Sequence, residues 1–382
     1  MNAMIIFGAV LTLYVFWRGI MPLKIKRIWK TGLLLVLAAV AFKFYLLGLI
    51  GGPMFFAPDL PKSFLMITTW LFATLFIFFF LLLAANILNR CCHLLRLCFR
   101  RRGKAKFPFA SNHANLVLLI LSLILATFGI INGTSVPNVR EETVFLKHLP
   151  LEAEGMTIAV LADLHADSIT RADRIQSIVD RANACKPDLT VIVGDFVDGP
   201  VNIRGRDLLP LQNLSARYGV YGVPGNHEYY SGYDQWMDFL SCLGIKMLPN
   251  EHVLVGTGKA GIVLAGVTDP TAGRTGHPQP SIEQALNDAP HYMTRILLSH
   301  QPRLAPEASR NGVDLQISGH THGGMIVGVN RIVAGFNAGY VSGSYHVGDM
   351  VLFVSNGSGI WNGFPIRLGV PSEIVILRLK KA

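Results

Sequence analysis

The chain has 382 residues, is 51% hydrophobic and carries a formal net charge of +10 at pH 7. That length accommodates two domains, and the apolar fraction is above that of an ordinary soluble protein. Residues 1–133 hold fourteen Lys and Arg against one acid, Asp59, and the remainder is mildly acidic, so the basic charge belongs to loops between apolar runs and excludes a soluble nucleic-acid binder.

Four apolar runs come first, near 4–20, 31–52, 64–88 and 116–133. Each approaches the ~20 residues a helix needs to cross ~30 Å of hydrocarbon. Residues 1–133 are therefore expected to form an all-α transmembrane region of about four helices. The first run lacks a basic segment before it and a small-residue cleavage site after it, so it reads as a retained helix, not a signal peptide. Lys24, Lys26, Arg27 and Lys30 follow the first run, and Arg90, Arg96, Arg100, Arg101, Arg102, Lys104 and Lys106 follow the third. Between the second and third stands only Lys62, balanced by Asp59. The positive-inside rule puts the two basic loops in the cytoplasm and everything after residue 133 outside. A multi-pass cell-membrane protein with an extracytoplasmic second domain is expected. Lys43, inside the second run, requires snorkelling or a partner within the bundle. Cys91, Cys92 and Cys98 read as membrane-flanking thiols, because no partner motif of metal-site spacing follows them. The spacing of Cys185 and Cys242 demands no pairing.

Residues 134–154 read as a linker, and from 155 the texture changes. TIAVLA (157–162), LTVIVGD (189–195), VYGVPG (220–225), GIVLAGV (261–267), RILLSH (295–300) and LQISGH (315–320) read as buried strands. Helical spacing appears over 170–184, with Thr170 as its cap, and over 231–243. The alternation predicts a layered α/β domain over 155–382. VLFVSNGSG and EIVILRL in the tail read as strands closing its second side.

Polar residues follow these strands. ADLHAD supplies Asp163 and His165, GDFVDG Asp195 and Asp198, GNHE Asn226, His227 and Glu228, LSHQP His300, and GHTHGG His320 and His322. Side chains at the carboxyl ends of strands in a layered α/β sheet converge on one crevice. Two aspartates (Asp163, Asp195), an asparagine (Asn226) and four histidines (His165, His300, His320, His322) suit Mn, Fe, Zn or Co. Seven ligands are too many for one ion and suit two that share a carboxylate. Such a pair, ~3.5–4 Å apart, activates a water at neutral pH and clamps a phosphoryl group. In an extended loop His320 and His322, two apart, would point the same way and reach two adjacent ions.

The five motifs D-x-H, G-D-x-x-D, G-N-H-E, an isolated His and G-H-x-H, in this order after predicted strands, resemble those of the calcineurin-like metallophosphoesterases over about 155–380. SNGSGIWNGFPIRLGVPSEIVIL is similar to the subgroup with membrane helices upstream. The resemblance implies a four-layer α/β/β/α sandwich holding two divalent metal ions. By it, Asp163, His165 and His322 hold the first metal, Asp195 bridges, and Asn226, His300 and His320 hold the second. His227 corresponds to the family's histidine that stabilises the transition state or protonates the leaving oxygen, and Asp198 and Glu228 support the ligands. The expected activity is hydrolysis of a phosphodiester or pyrophosphate by metal-bound hydroxide. A lipid-linked substrate is favoured because four helices are more anchor than a soluble one requires.

Two alternatives stand beside this reading. One is a UDP-2,3-diacylglucosamine-type pyrophosphohydrolase, which the predicted topology disfavours. The other is a membrane sensor or transporter with an accessory phosphoesterase domain. The bilayer and a phosphorylated small molecule are the expected partners, with no nucleic acid. The loop 268–281 holds Arg274 and His277 and is either a second phosphate site or plain surface. Tyr229, Tyr230 and Tyr233 either wall the pocket or pack the next helix, and Trp361 and Phe364 form either an apolar lip or core.

Overall fold

The computed structural model describes residues 2–51, 59–98, 112–256 and 261–382. The basic stretch FRRRGKAK (99–106) and the end of the second apolar run lie outside the described residues. The chain divides into two compact units, Met1–Ile131 and Asn132–Ala382.

The first unit is helical: α1 (Asn2–Val15), α2 (Arg27–Ala41), α3 (Lys43–Gly51), α4 (Lys62–Cys98) and α5 (Asn112–Thr134). Its core is Leu11, Val15, Ala41, Leu75, Phe78, Phe79 and Leu82. Among the described residues two helices are long and apolar enough to cross a membrane, Lys62–Arg96 and Asn112–Thr134. At 1.5 Å per residue even the shorter spans about 35 Å. The second run, expected as one helix, is a bent pair with 66° between its halves. The break falls at Phe42 (φ −95°, ψ 16°), just before the buried Lys43. The Lys43 ammonium donates to Thr69 Oγ1 at 3.1 Å and lies 4.7 and 5.1 Å from the Phe44 and Phe72 rings. A partner inside the bundle, not snorkelling, accommodates this charge. Helix α4 runs ten residues past position 88 to Cys98, so Cys91, Cys92 and Cys98 sit exposed on its last turns.

The described residues of the second unit hold twelve strands: β1 (Asn138–Leu146), β2 (Thr157–Leu161), β3 (Leu189–Val193), β4 (Val220–Val223), β5 (Lys246–Met247), β6 (Glu251–Val255), β7 (Ile262–Gly266), β8 (Arg295–Leu298), β9 (Leu315–Ser318), β10 (Gly343–Val347), β11 (Met350–Val354) and β12 (Glu373–Lys381). They form two six-stranded sheets, ordered β1-β12-β2-β3-β4-β5 and β10-β11-β9-β8-β7-β6. Strands β2 to β5 are parallel, as are β7, β8, β9 and β11. Among the described residues seven α-helices accompany the sheets: α6 (Ala172–Ala184), α7 (Val201–Leu208), α8 (Asn226–Ser231), α9 (Tyr233–Cys242), α10 (Ile282–Ala285), α11 (Ala305–Arg310) and α12 (Asn330–Phe336).

Strand alternation builds three cores. Val191 and Val193 of β3 meet Ile296 and Leu298 of β8 between the sheets. Ile192 faces the other way, onto Ile175, Ile178, Trp236 and Leu240 of α6 and α9. Leu297 turns onto Ala285 of α10 and Ala305 and Ala308 of α11. Central strands buried on both faces read as continuous apolar runs for this reason.

Several expectations change. The segment expected as a linker carries β1, paired in parallel with β12. EIVILRL does not close the second sheet. As β12 it joins the first, antiparallel to β2. Thr170 does not cap α6, since the N-cap is Arg171, and the Thr170 hydroxyl accepts from Arg174 Nη1 at 3.1 Å instead. The helix expected over 231–243 is present as α9, and Gly232 (φ 104°) separates it from the short α8 before it.

Leu298 is fully buried between the sheets, two residues before His300. Leu298→Ala is expected to destabilise the second unit by about 2–5 kcal/mol, measured by denaturant unfolding of the detergent-purified chain.

Candidate metal centre

All five motif turns leave the carboxyl ends of parallel strands, three from the first sheet (β2, β3, β4) and two from the second (β8, β9). The first two turns run side by side: Asp163 N donates to Gly194 O at 3.1 Å, His165 N to Asp195 O at 3.0 Å, and Asp198 N to Ala166 O at 3.0 Å. His320 N donates to both Asp163 oxygens, at 3.0 and 3.1 Å, tying the second sheet's turn to the first sheet's. Among the described residues, ten that are not glycine have positive φ, and five of them are Asp163, His165, Asp195, His320 and His322. That conformation costs roughly 1–2 kcal/mol per residue, so the packing around these turns holds them there. Close approach also explains two glycines. A Cβ on Gly319 would fall 2.6 Å from Asp163 Oδ2, and one on Gly225 would collide with the Asp195 carboxylate.

The seven expected ligands come together. Asp163, His165 and His322 form one group whose ligand atoms lie within 4.8 Å of one another, and Asp195, His300 and His320 form another. The Asp195 carboxylate stands between them, with Oδ2 3.7 Å from His165 Nε2 and 3.1 Å from His300 Nε2. His165 Nε2 and His322 Nε2 are 3.1 Å apart, His300 Nε2 and His320 Nδ1 3.2 Å, and Asn226 Oδ1 lies 3.2 Å from His300 Nε2. The expected extended loop at 320–322 is not observed. Both histidines sit at positive φ, 71° and 49°, in a turn that sends them to different groups. His227 forms a third group with His165 and Asp195, its Nε2 3.9 Å from Asp195 Oδ2.

The donor set fits divalent cations. The His300 Nδ1 pairs with the Val193 carbonyl at 2.8 Å and the His165 Nδ1 with Asp198 Oδ1 at 3.2 Å, which leaves each Nε2 to face the cluster as a lone-pair donor. Burial pushes the His320 imidazole down to about 3 and, with His165 and Arg367 nearby, puts His322 well below its usual range, so both stay neutral. Burial raises Asp163 to about 6. It opposes ionisation of Asp195 too, but His300 and His227 outweigh it and hold that carboxyl well below the carboxylate range. These acids demand positive charge, met by imidazolium protons or by cations on the same atoms.

His227 pairs through Nδ1 with Asp198, whose carboxyl is held at about 2 against its burial by His165 and His227. Burial would lower the His227 imidazole, but Asp195 and Asp198 raise it to about 9. It is therefore a cation at neutral pH, beside the ligands. Glu228 is fully buried and braces two turns: Oε2 accepts from Gly225 N (2.6 Å) and Asp195 N (3.0 Å), and Oε1 from Phe196 N (2.8 Å).

Arg367 escaped the sequence reading. Its buried guanidinium donates to His322 O (3.2 Å), Asn356 O (2.7 Å) and Gly359 O (3.1 Å), and Nη2 is 3.3 Å from His322 Nδ1. Its only local signal is to be the one charge in the Gly- and Pro-rich run NGSGIWNGFPIRLGVP. Of the three tyrosines, Tyr230 borders a cavity beside Asn226 and His320, whereas Tyr229 and Tyr233 stack on each other at 4.4 Å. Trp361 and Phe364 are half-buried, not an open lip.

Glu228→Gln leaves the three backbone donors with a single acceptor oxygen. Each orphaned buried donor costs about 1–3 kcal/mol, so a lower melting temperature and loss of bound metal are expected, read by thermal unfolding and elemental analysis. An unchanged melting temperature and metal content would show that the two turns do not depend on this carboxylate.

The calcineurin-like phosphoesterase family matches residues 156–324, which contain all five turns. An uncharacterized metallophosphoesterase of Helicobacter pylori J99 is 37% identical over 253 residues, 66% of this chain and 66% of that protein's length. A transmembrane protein with metallophosphoesterase domain from Danio rerio is 30% identical over 368 residues, 94% of this chain and 82% of that one. One of the same description from Bos taurus is 34% identical over 277 residues, covering 69% and 62%. Aligned with the zebrafish protein along most of both lengths, and with each motif turn inside the matched segment, this chain belongs to the calcineurin-like metallophosphoesterase family.

Proposed function

We propose that this chain is a membrane-anchored phosphoesterase that uses two divalent cations to hydrolyse a phosphodiester or pyrophosphate bond, in a lipid-linked substrate. The observation that carries the reading is the position of Asp195, a buried carboxylate between the Asp163–His165–His322 group and the His300–His320 group. Asp163, His165 and His322 would hold one cation, Asn226, His300 and His320 the other, and Asp195 would be shared between them. When bound, the cations supply Lewis acidity toward phosphoryl oxygens and ionise water at neutral pH.

The chain's own residues do the rest. Asp198 orients the His227 ring through Nδ1 and favours its charged form, so Nε2 carries a proton beside the ligands. In hydrolysis a water oxygen bonds to phosphorus and releases a proton to solvent, the bond to the leaving oxygen breaks, and His227 Nε2 gives that oxygen its proton and is reprotonated from solvent. Glu228, through Asp195 N and Gly225 N, holds the bridging carboxylate and the Asn226 turn in register. The lipid-linked substrate and the anchoring are supported by the two apolar helices and by the relatives described as transmembrane proteins. The positive-inside argument places the catalytic unit outside the cytoplasm.

With Mn and bis(4-nitrophenyl) phosphate, His227→Ala is expected to lower kcat about 10²–10⁴-fold while elemental analysis still finds metal. Asp195→Ala and His320→Ala should lose both metal and turnover. Full turnover in Asp195→Ala or His227→Ala would overturn these roles. A reporter enzyme active only outside the cytoplasm, fused after residue 382, should be active. Activity of a cytoplasmic reporter there instead would reverse the orientation.

A further inference from the structure

Beside the ligand cluster lies a cavity of about 230 Å³ whose wall includes Asn226 and His320. Two arginines also line it, Arg274 from the loop after β7 and Arg303 from the turn after β8, and none of its ten lining residues is an acid. Both guanidiniums are exposed, and among the described residues neither has a hydrogen bond or a carboxylate partner. On an ordinary surface an arginine is interspersed with acids. Here two converge on a concave wall that already abuts an expected cation ligand.

The wall is built, not loose. Gln301 Nε2 donates to both oxygens of the buried Asp269, at 3.0 and 2.9 Å, and Asp269 Oδ1 accepts from Thr271 N at 2.8 Å. This ties the Arg274 loop to the Arg303 turn. Farther along the same loop His277 packs 4.6 Å from the Tyr233 ring and 3.4 Å from Asp234 Oδ1. Thr268 Oγ1 donates to Pro278 O at 3.0 Å, and Asn250 Nδ2 to Gln279 O at 2.8 Å. Arg274 is therefore presented from a pinned loop, which lowers the entropic cost of holding an anion.

One edge of the cavity is apolar. Phe336 lines it and is 82% exposed, and Ile332, one turn earlier on α12, is 63% exposed. Residues four apart share a helix face, so the two form a short apolar ridge leading from the arginines.

Resting on the two-cation reading above, we propose that Arg274 and Arg303 form a subsite for a second anionic group of the substrate, with the acyl portion lying along Phe336 and Ile332. The substrate class is an anionic lipid with two phosphoryl groups, one at the cation ligands and one in the planar forks of the arginines.

The test uses the full chain, purified in detergent and loaded with Mn. Binding of inorganic pyrophosphate is measured by calorimetry for the wild type, Arg274→Gln, Arg303→Gln and the double variant, with metal content and melting temperature as controls of folding. The double variant should bind pyrophosphate at least 10-fold more weakly, and Arg303→Lys should recover part of the loss. Its kcat/KM for diacylglycerol pyrophosphate relative to bis(4-nitrophenyl) phosphate should fall at least 10-fold, mostly in KM. Pyrophosphate affinity within twofold of wild type in the double variant overturns the subsite. A wild type that binds pyrophosphate through the arginines yet hydrolyses neither substrate leaves the subsite standing and removes the hydrolase reading.

Discussion

Everything in the catalytic unit is arranged around a buried carboxylate that must share its charge. Asp195 is 2% exposed, has His300 and His165 on either side, and accepts from His227 N at 2.9 Å. Taking such a group out of water is unfavourable unless positive charge and donors surround it. The surrounding imidazoles supply donor atoms but crowd one another, with nitrogen pairs at 3.1 and 3.2 Å. Bound cations would resolve both problems together, since they would neutralise the carboxylates and take up the facing lone pairs. The unusual backbone follows from the same demand. Asp163, His165, Asp195, His320 and His322 are all held in the left-handed region, which shortens the distance between turns that would otherwise splay.

The two-sheet scaffold makes this crowding affordable. The cluster draws on both sheets, and Val191, Val193, Ile296 and Leu298 fill the space between the sheets just beneath it. The backbone bonds between the first two turns, and from His320 N to Asp163, close the gap across the sheet edges. The return segment after β11 completes the wall: Ser358 N donates to Ala162 O at 2.7 Å, Gly359 N to Asp163 O at 3.1 Å, and Arg367 threads back to the His322 carbonyl. Supporting residues are as buried as the ligands, which is why Glu228 and Arg367 have structural consequences out of proportion to their visibility.

The helical unit obeys a different solvent. Its helices expose Leu, Ile, Phe and Trp over much of their surface, as Trp29 at 66% and Val36 at 58% illustrate. Such a surface suits hydrocarbon and is costly in water. Lys43, buried within the second run, is satisfied by a hydroxyl and two aromatic faces. In the second unit, Phe336 lines the arginine-bearing cavity and is exposed, as is Ile332 one turn earlier.

The sequence displays the seven candidate ligands, because each motif is a local strand-end turn, and the order of the five motifs along the chain carries the family resemblance. It also separated the apolar third from the rest, since hydropathy and charge are properties of contiguous segments. Which strands are neighbours emerges only on folding: β1 lies in a segment whose sequence reads as linker, and β12 sits between β1 and β2, because these pairings are set by contacts more than 200 residues apart in sequence, as between Arg140 and Glu373. Arg367 and the pairing of Arg274 with Arg303 were illegible for the same reason. An isolated arginine has no periodicity or motif, and its meaning appears only when folding brings it beside a ligand or another cation.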